Sequence, residues 1–280
     1  MSEIEGLVRI RTCLIAALVA TFVSACSERP KSGAAASDGA EPKASDYVES
    51  PTVLSAVRGP GGALTLAGRA AADSIVRLST PEGQSWGMTA GSNGDWSFSV
   101  PVAGQPRMLS LTAESGGRAV HADGVLIVLP RPAIPLVVAR VGYGAIAINR
   151  RVDRPVIVAL DYDGGGGAIV SGLARPGASI KLMFDNTLEG EARADKNGLF
   201  AAPAVKHPLS PGDHLVRIEA PEGAAQLSTR IVMSEPLGGM VYRATRQDDG
   251  WRLDWRAGEH ATQTTLIFDS AQQLLEEPKR

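Results

Sequence analysis

The chain has 280 residues, 28 Lys+Arg against 30 Asp+Glu, 31 glycines, 18 prolines and two cysteines. A net charge of −2 gives no electrostatic reason to bind nucleic acid. Two cysteines build neither a disulfide scaffold nor a four-cysteine zinc site, and the length suits two ordinary domains or one large β domain.

Residues 1–25 read as an address. Arg9 and Arg11 precede an apolar run from Cys13 to Val23. About 11 residues are too few to cross a ~30 Å hydrocarbon core as a helix, so the segment reads as a signal peptide. The run ends in Val23-Ser24-Ala25-Cys26, which resembles the lipobox of bacterial lipoproteins. That resemblance implies lipidation of Cys26, which becomes the mature N-terminus, and a membrane partner through the anchor. Cys13 lies inside the run and would be lost on cleavage. Ser27 is not the Asp that retains enteric lipoproteins in the inner membrane. The family rule therefore implies the outer membrane, at its periplasmic face or the cell surface. Residues 26–50 follow as a tether of Ser, Ala, Pro, Gly and charges. Without apolar periodicity they are expected to be disordered, spanning ~25–30 Å.

The remainder repeats itself. An offset of 104 residues lays Leu66-Ala67-Gly68 on Val170-Ser171-Gly172, and Val76-Arg77-Leu78 on Ile180-Lys181-Leu182. It also lays Asn93-Gly94 on Asn197-Gly198, Trp96 on Phe200, and Ile127-Val128-Leu129 on Ile231-Val232-Met233. Pro155–Asp161 loosely echoes Thr264–Asp269, so a last strand looks like the opening of a third copy. Within each copy the period is two: Trp96, Phe98 and Val100 alternate with Ser97 and Ser99. Asn-Gly pairs mark turns, and Gly59-Pro60-Gly61-Gly62 and the glycines 164–167 are breakers. Short strands separated by turns predict an all-β fold of two tandem sandwiches rather than α/β. The expected domains are 51–154 and 155–270, the second ending in a meander of 240–246, 251–256 and 264–269. A tail, 271–280, holds the one short stretch with helical character, Ala271–Glu277.

Gly172-Leu-Ala-Arg-Pro176-Gly177-Ala-Ser-Ile180-Lys-Leu182, Gly198-Leu-Phe200 and the late strand Leu215–Ala220 together resemble a bacterial Ig-like (Big-type) domain. Residues 63–128 repeat the pattern more loosely, with Gly94-Asp-Trp96 in the hairpin position and Ala70-Ala71-Ala72 in place of Pro-Gly-Ala. The resemblance covers about 200 residues and implies tandem Ig-like sandwiches of the kind found in adhesins and envelope proteins. It speaks for fold more than for function.

No catalytic constellation is visible. His121, His207, His214 and His260 show no ligand spacing, and no Gly-x-Ser-x-Gly elbow or phosphate loop occurs. No cofactor is implied, and the chain is expected not to be an enzyme. Asp161 and Asp163, with Asp185 remote, offer calcium too few oxygens to decide for a site, and a solvated loop is the default reading. Trp251, Leu253 and Trp255 share one face of a strand and are expected to fill the core of the terminal meander. Trp86 and Tyr143 are the candidate ligand contacts, Tyr143 because Gly142 and Gly144 place it in a loop. Two functions remain open. One is a non-catalytic, lipid-anchored envelope module that binds an envelope protein or polysaccharide through edge strands or loops. The alternative is a carbohydrate- or peptidoglycan-binding module using exposed aromatics.

Overall fold

The computed structural model describes residues 48–59, 62–102, 104–131, 134–148, 152–258 and 261–269. The expected signal peptide, Cys26, the expected tether up to residue 47, His260 and the expected tail lie outside the described residues. Twenty strands follow one another, with no α-helix among the described residues. The first ten are β1 (Thr52–Arg58), β2 (Ala63–Arg69), β3 (Ile75–Ser79), β4 (Ser85–Thr89), β5 (Asp95–Pro101), β6 (Arg107–Ser115), β7 (Arg118–His121), β8 (Val125–Val128), β9 (Leu136–Arg140) and β10 (Gly144–Ala147). The second ten are β11 (Val156–Asp163), β12 (Ala168–Leu173), β13 (Ser179–Phe184), β14 (Thr187–Arg193), β15 (Leu199–Ala204), β16 (Gly212–Ala220), β17 (Gly223–Ile231), β18 (Tyr242–Gln247), β19 (Gly250–Arg256) and β20 (Thr262–Phe268).

They form four sheets. Sheet I has the order β1-β2-β5. Sheet II runs β10-β9-β8-β6-β3-β4, with β7 also on β6. Sheet III runs β15-β12-β11-β20-β19-β18, and sheet IV runs β14-β13-β16-β17. Sheets I and II enclose one core, built around Leu64, Leu66, Trp96 and Phe98 from one side and Val76, Leu78, Leu111 and Leu126 from the other. Sheets III and IV enclose a second, around Leu160, Val170, Phe200, Ile180, Leu182 and Ile218. The fold is therefore all-β, with two sandwiches.

A third core joins them. Met108, Ile127, Val137 and Ala145 of sheet II or its connections pack with Val158, Trp251, Leu253, Trp255 and Ile267 of sheet III. Alternation along the strands explains how one sheet serves two cores. Leu126 and Val128 face the first sandwich, whereas Ile127 and Leu129 face the middle layer. Such strands read as unbroken apolar runs, because neither face meets water. The layers thus stack I, II, III, IV, with a core in each of the three gaps. The tryptophans of the terminal meander do fill a core, but it is this middle one.

The repeat shows in backbone detail. β1 carries a register shift between Val53 and Ser55, and β11 carries one between Ile157 and Ala159, at the matching place. A side chain at Gly68 would strike Thr52 O, and one at Gly172 would strike Val156 O. Only glycine lets strand and ring approach that closely, with Trp96 in one copy and Phe200 in the other. The turn at Asn93-Gly94 departs from expectation. It is not a hairpin, because β4 and β5 lie in different sheets. Gly94, at φ 82°, accepts a bond from Ala70 N, and Gly198, at φ 83°, accepts one from Ala174 N. Those bonds tie the crossover to the end of β2 in one copy and of β12 in the other.

Candidate interaction site

Tyr143 sits at the tip of the β9–β10 turn and is 68% exposed. Gly142 and Gly144 take positive φ of 73° and 75°, which lets the two strands reverse this tightly. The turn is braced rather than loose. Tyr143 N donates to Arg140 O at 3.2 Å, and Arg140 Nη2 donates to Tyr143 O at 3.1 Å. The guanidinium also lies 5.9 Å from the ring centroid, within cation–π range. Its other arm meets Asp123 at 3.5 Å. The result is an aromatic plate held outward on a fixed support, beside exposed Val141. Such a plate can stack on a planar or sugar face.

Trp86 is placed differently. It stands on β4 opposite Leu78, half-buried against the first core. Trp96, Trp251 and Trp255 are buried, so their ring faces are committed to packing.

Beneath the Tyr143 turn lies a polar inclusion in the middle layer. Ser171 Oγ accepts from Ala145 N at 2.9 Å. Asp161 is buried and accepts from Gln263 Nε2 at 2.9 Å and from Thr265 Oγ1. Thr265 in turn receives the Trp255 indole N–H at 3.0 Å. Burial pushes the Asp161 carboxyl up from 3.8 to about 6, against the opposing pull of Thr265, Gln263 and Arg140. Its Oδ2 finds no partner, and neither does the buried Nε of Arg140.

Asp163, two residues on, turns outward and caps its own loop. Its Oδ1 accepts from Gly165 N at 2.8 Å and Gly167 N at 3.1 Å. The glycine run is thus the β11–β12 hairpin turn. Asp161 and Asp163 do not converge on a common point, and Asp185 lies on the β13–β14 turn at positive φ. Among the described residues no group of three or more His, Cys, Asp or Glu could hold a metal ion.

Sequence spacing missed one arrangement. His207 Nδ1 lies 2.9 Å from Glu189 Oε1, and His214 Nδ1 lies 2.7 Å from Asp185 Oδ2. His214 Nε2–H also donates to Ser210 O at 2.8 Å. All five residues line one cavity of about 240 Å³ between the β13–β14 turn and the loop after β15. A backbone bond from Leu215 N holds the Asp185 carboxyl below its usual range, with His214 adding to it. The histidines stand seven apart in sequence on a loop and a strand, so no period could announce their convergence. The two pairs brace the loop: Glu189 also accepts from His207 N, at 3.1 Å.

A second buried cluster lies on the opposite face of sheet III. Arg252 donates two bonds to Asp254 Oδ1, at 3.2 and 2.9 Å, and one to Oδ2 at 3.0 Å. Thr264 and Ser234 donate to the same carboxylate. Paired and saturated, this cluster pins the 232–237 strap over β19 and β20.

No family model matches the chain, and no curated protein matches it. Solved structures do match. A biofilm-associated protein, its BSP domain, is 16% identical over 68% of this chain and 31% of that one, with a TM-score of 0.23. The central fibronectin-III array of RIM-binding protein is 12% identical over 74% and 79%, with a TM-score of 0.26. A 1.5-MDa bacterial ice-binding adhesin is 14% identical over 66% and 65%, with a TM-score of 0.21. The chain spans about a third of the biofilm structure's length. The sandwich assignment rests on the sheets described above.

Proposed function

We propose that the chain is a lipid-anchored protein of the bacterial cell envelope, acting as a non-catalytic interaction module. Val23-Ser24-Ala25-Cys26, at the end of a short apolar run, carries this reading. Acyl chains on Cys26 supply ~0.8 kcal/mol per buried methylene, enough in combination for stable anchoring. Residues 26–50 hold the folded part clear of the headgroups, on the outer membrane. Domains 51–154 and 155–270 are Ig-like sandwiches of the adhesin kind, fused through the middle core. The partner is an envelope protein or polysaccharide, met at loops such as the one carrying Tyr143 or at an open sheet edge. The exposed Tyr143–Arg140 plate and its rigid bracing support a contact there. Tyr143 is also the residue that best suits a sugar-binding module, because three of the four tryptophans are buried.

Palmitate labelling with membrane fractionation tests the anchor. The wild type is expected to be labelled and membrane-bound, and Cys26→Ala neither. Equal fractionation of both proteins without label would overturn it and leave a secreted protein.

A further inference from the structure

Sheet III has six strands and sheet I three. The difference lies at one edge. β11 pairs with β12 on one side and β20 on the other, whereas β1 pairs with β2 alone among the described residues. β1 and β11 are the same strand of the repeat, with the same register shift. Among the described residues, the edge that β20 fills in the second sandwich is therefore open in the first.

The far edge of sheet I and the edges of sheets III and IV carry features that discourage further pairing, whereas the edges of sheet II, β4 and β10, are short and uncharged. β5 ends in Pro101, β15 contains Pro203, and β14 bears Glu189, Glu191 and Arg193. β17 bears Arg230, and β18 bears Arg243 and Arg246. β1 reads Thr-Val-Leu-Ser-Ala-Val-Arg. It has no proline, glycine or acid, and its single charge, Arg58, reaches away to Leu129 O at 2.9 Å. That bond sets β1 over the end of β8, so its open edge faces the β9–β10 side of sheet II. There Ile146 and Ile148 are only partly buried against the core. Leu54 and Val57 on β1 are 53% and 59% exposed.

We propose that β1 pairs antiparallel with β1 of a second copy of this chain. The chain itself supplies the precedent. β11 opens a repeat, β20 echoes that opening, and the two pair antiparallel, Leu160 opposite Leu266. A repeat-opening strand thus takes a repeat-opening strand as its neighbour. Two β1 strands reproduce that pairing about a two-fold axis, and one self-complementary surface suffices. The joined sheet then has the order β5-β2-β1 followed by the partner copy's β1-β2-β5, six strands as in sheet III. Seven residues span ~24 Å of edge. The added strand extends the cover over Ile146 and Ile148. The pairing rests on the sheet edge alone and does not depend on acylation of Cys26.

The test uses the full chain in its own membrane, in two differently tagged copies expressed together. A benzophenone amino acid at position 57 is irradiated and the adduct mapped by mass spectrometry. The expected product joins the two tags through residues 52–58 of the second copy, and Leu54→Lys lowers its yield at least tenfold. Detergent-solubilised chain should read as a dimer by light scattering, and Leu54→Lys with Val57→Lys as a monomer that still unfolds cooperatively. Adducts confined to residues 26–47 of the same chain would show that the tether covers β1, and would overturn the proposal. So would adducts to a different envelope protein, or a monomer at every concentration with the edge intact.

Discussion

Sheets I and III descend from the same repeat yet face different surroundings. Their inward residues correspond closely: Leu66 with Val170, Gly68 with Gly172, Trp96 with Phe200. Their outward residues do not. Thr65, Arg69, Asp95 and Ser97 in sheet I are exposed, whereas Ile169, Leu173, Leu199 and Ala201 in sheet III are covered wholly or in part. Inward positions make a sandwich, and outward positions decide whether that sandwich has a neighbour. Val57 and Asp161 invert the trend. The valine is exposed in the solvent-facing sheet, and the acid is buried in the packed one.

Breaking the packed face should have the largest effect. Trp255→Ala removes one of the largest fully buried side chains of the middle core and is expected to cost about 3–5 kcal/mol. Because the other two cores stay intact, urea unfolding should broaden or split into two transitions. A single sharp transition at reduced midpoint would mean that the sandwiches stay coupled without this layer.

The buried acid comes next. Between 3.8 and about 6 the folded chain keeps a proton on Asp161 that the unfolded chain has released. Stability therefore falls as pH rises through that window, by about 3 kcal/mol, and the loss is complete above it. Asp161→Asn should flatten this slope and raise stability at neutral pH. Urea midpoints measured across the window check it, and an unchanged slope in the variant would assign the titration elsewhere.

A finer test uses the turn after β2. Asp73 takes φ 58° where the second copy has Gly177 at φ 76°. Asp73→Gly relieves the left-handed strain but loosens the unfolded chain, for a net gain of about 0.5 kcal/mol. A small rise in thermal midpoint would show it, whereas a fall would mean that the Asp73 side chain contributes more than its backbone costs.

Much of this architecture is legible in the sequence, because period two survives in both copies. Leu64, Leu66, Trp96, Phe98 and Val100 each fall where the alternation puts them. The glycines at 68 and 172 line up without any knowledge of the rings they accommodate. The middle core is harder to see. Val125–Val128 and Val156–Leu160 are continuous apolar runs, which announce two buried faces but not what covers the second. Trp251, Leu253 and Trp255 were readable as buried, yet their partners lie more than a hundred residues away on β8 and β9. The crossover at Asn93-Gly94 looks like a hairpin because turn chemistry is local, whereas the choice of sheet is not. The histidine–carboxylate pairs around His207 and His214 were invisible for the same reason. Tyr143 could be placed in a loop from its flanking glycines, but its Arg140 brace depends on a strand register that only the folded chain reveals.

For an exported chain, the central position of β20 also bears on the order of folding as it emerges across the membrane. β11 emerges before its second neighbour, which follows about 100 residues later: Asp161 and Thr265, joined by a hydrogen bond, are 104 residues apart. Until those residues have crossed, β11 stands with one row of amides and carbonyls unsatisfied. The first sandwich can close in that interval, because none of its sheets needs a strand beyond β10. The nascent second sandwich cannot, and it is the half that would call for a chaperone's protection until residue 268 emerges.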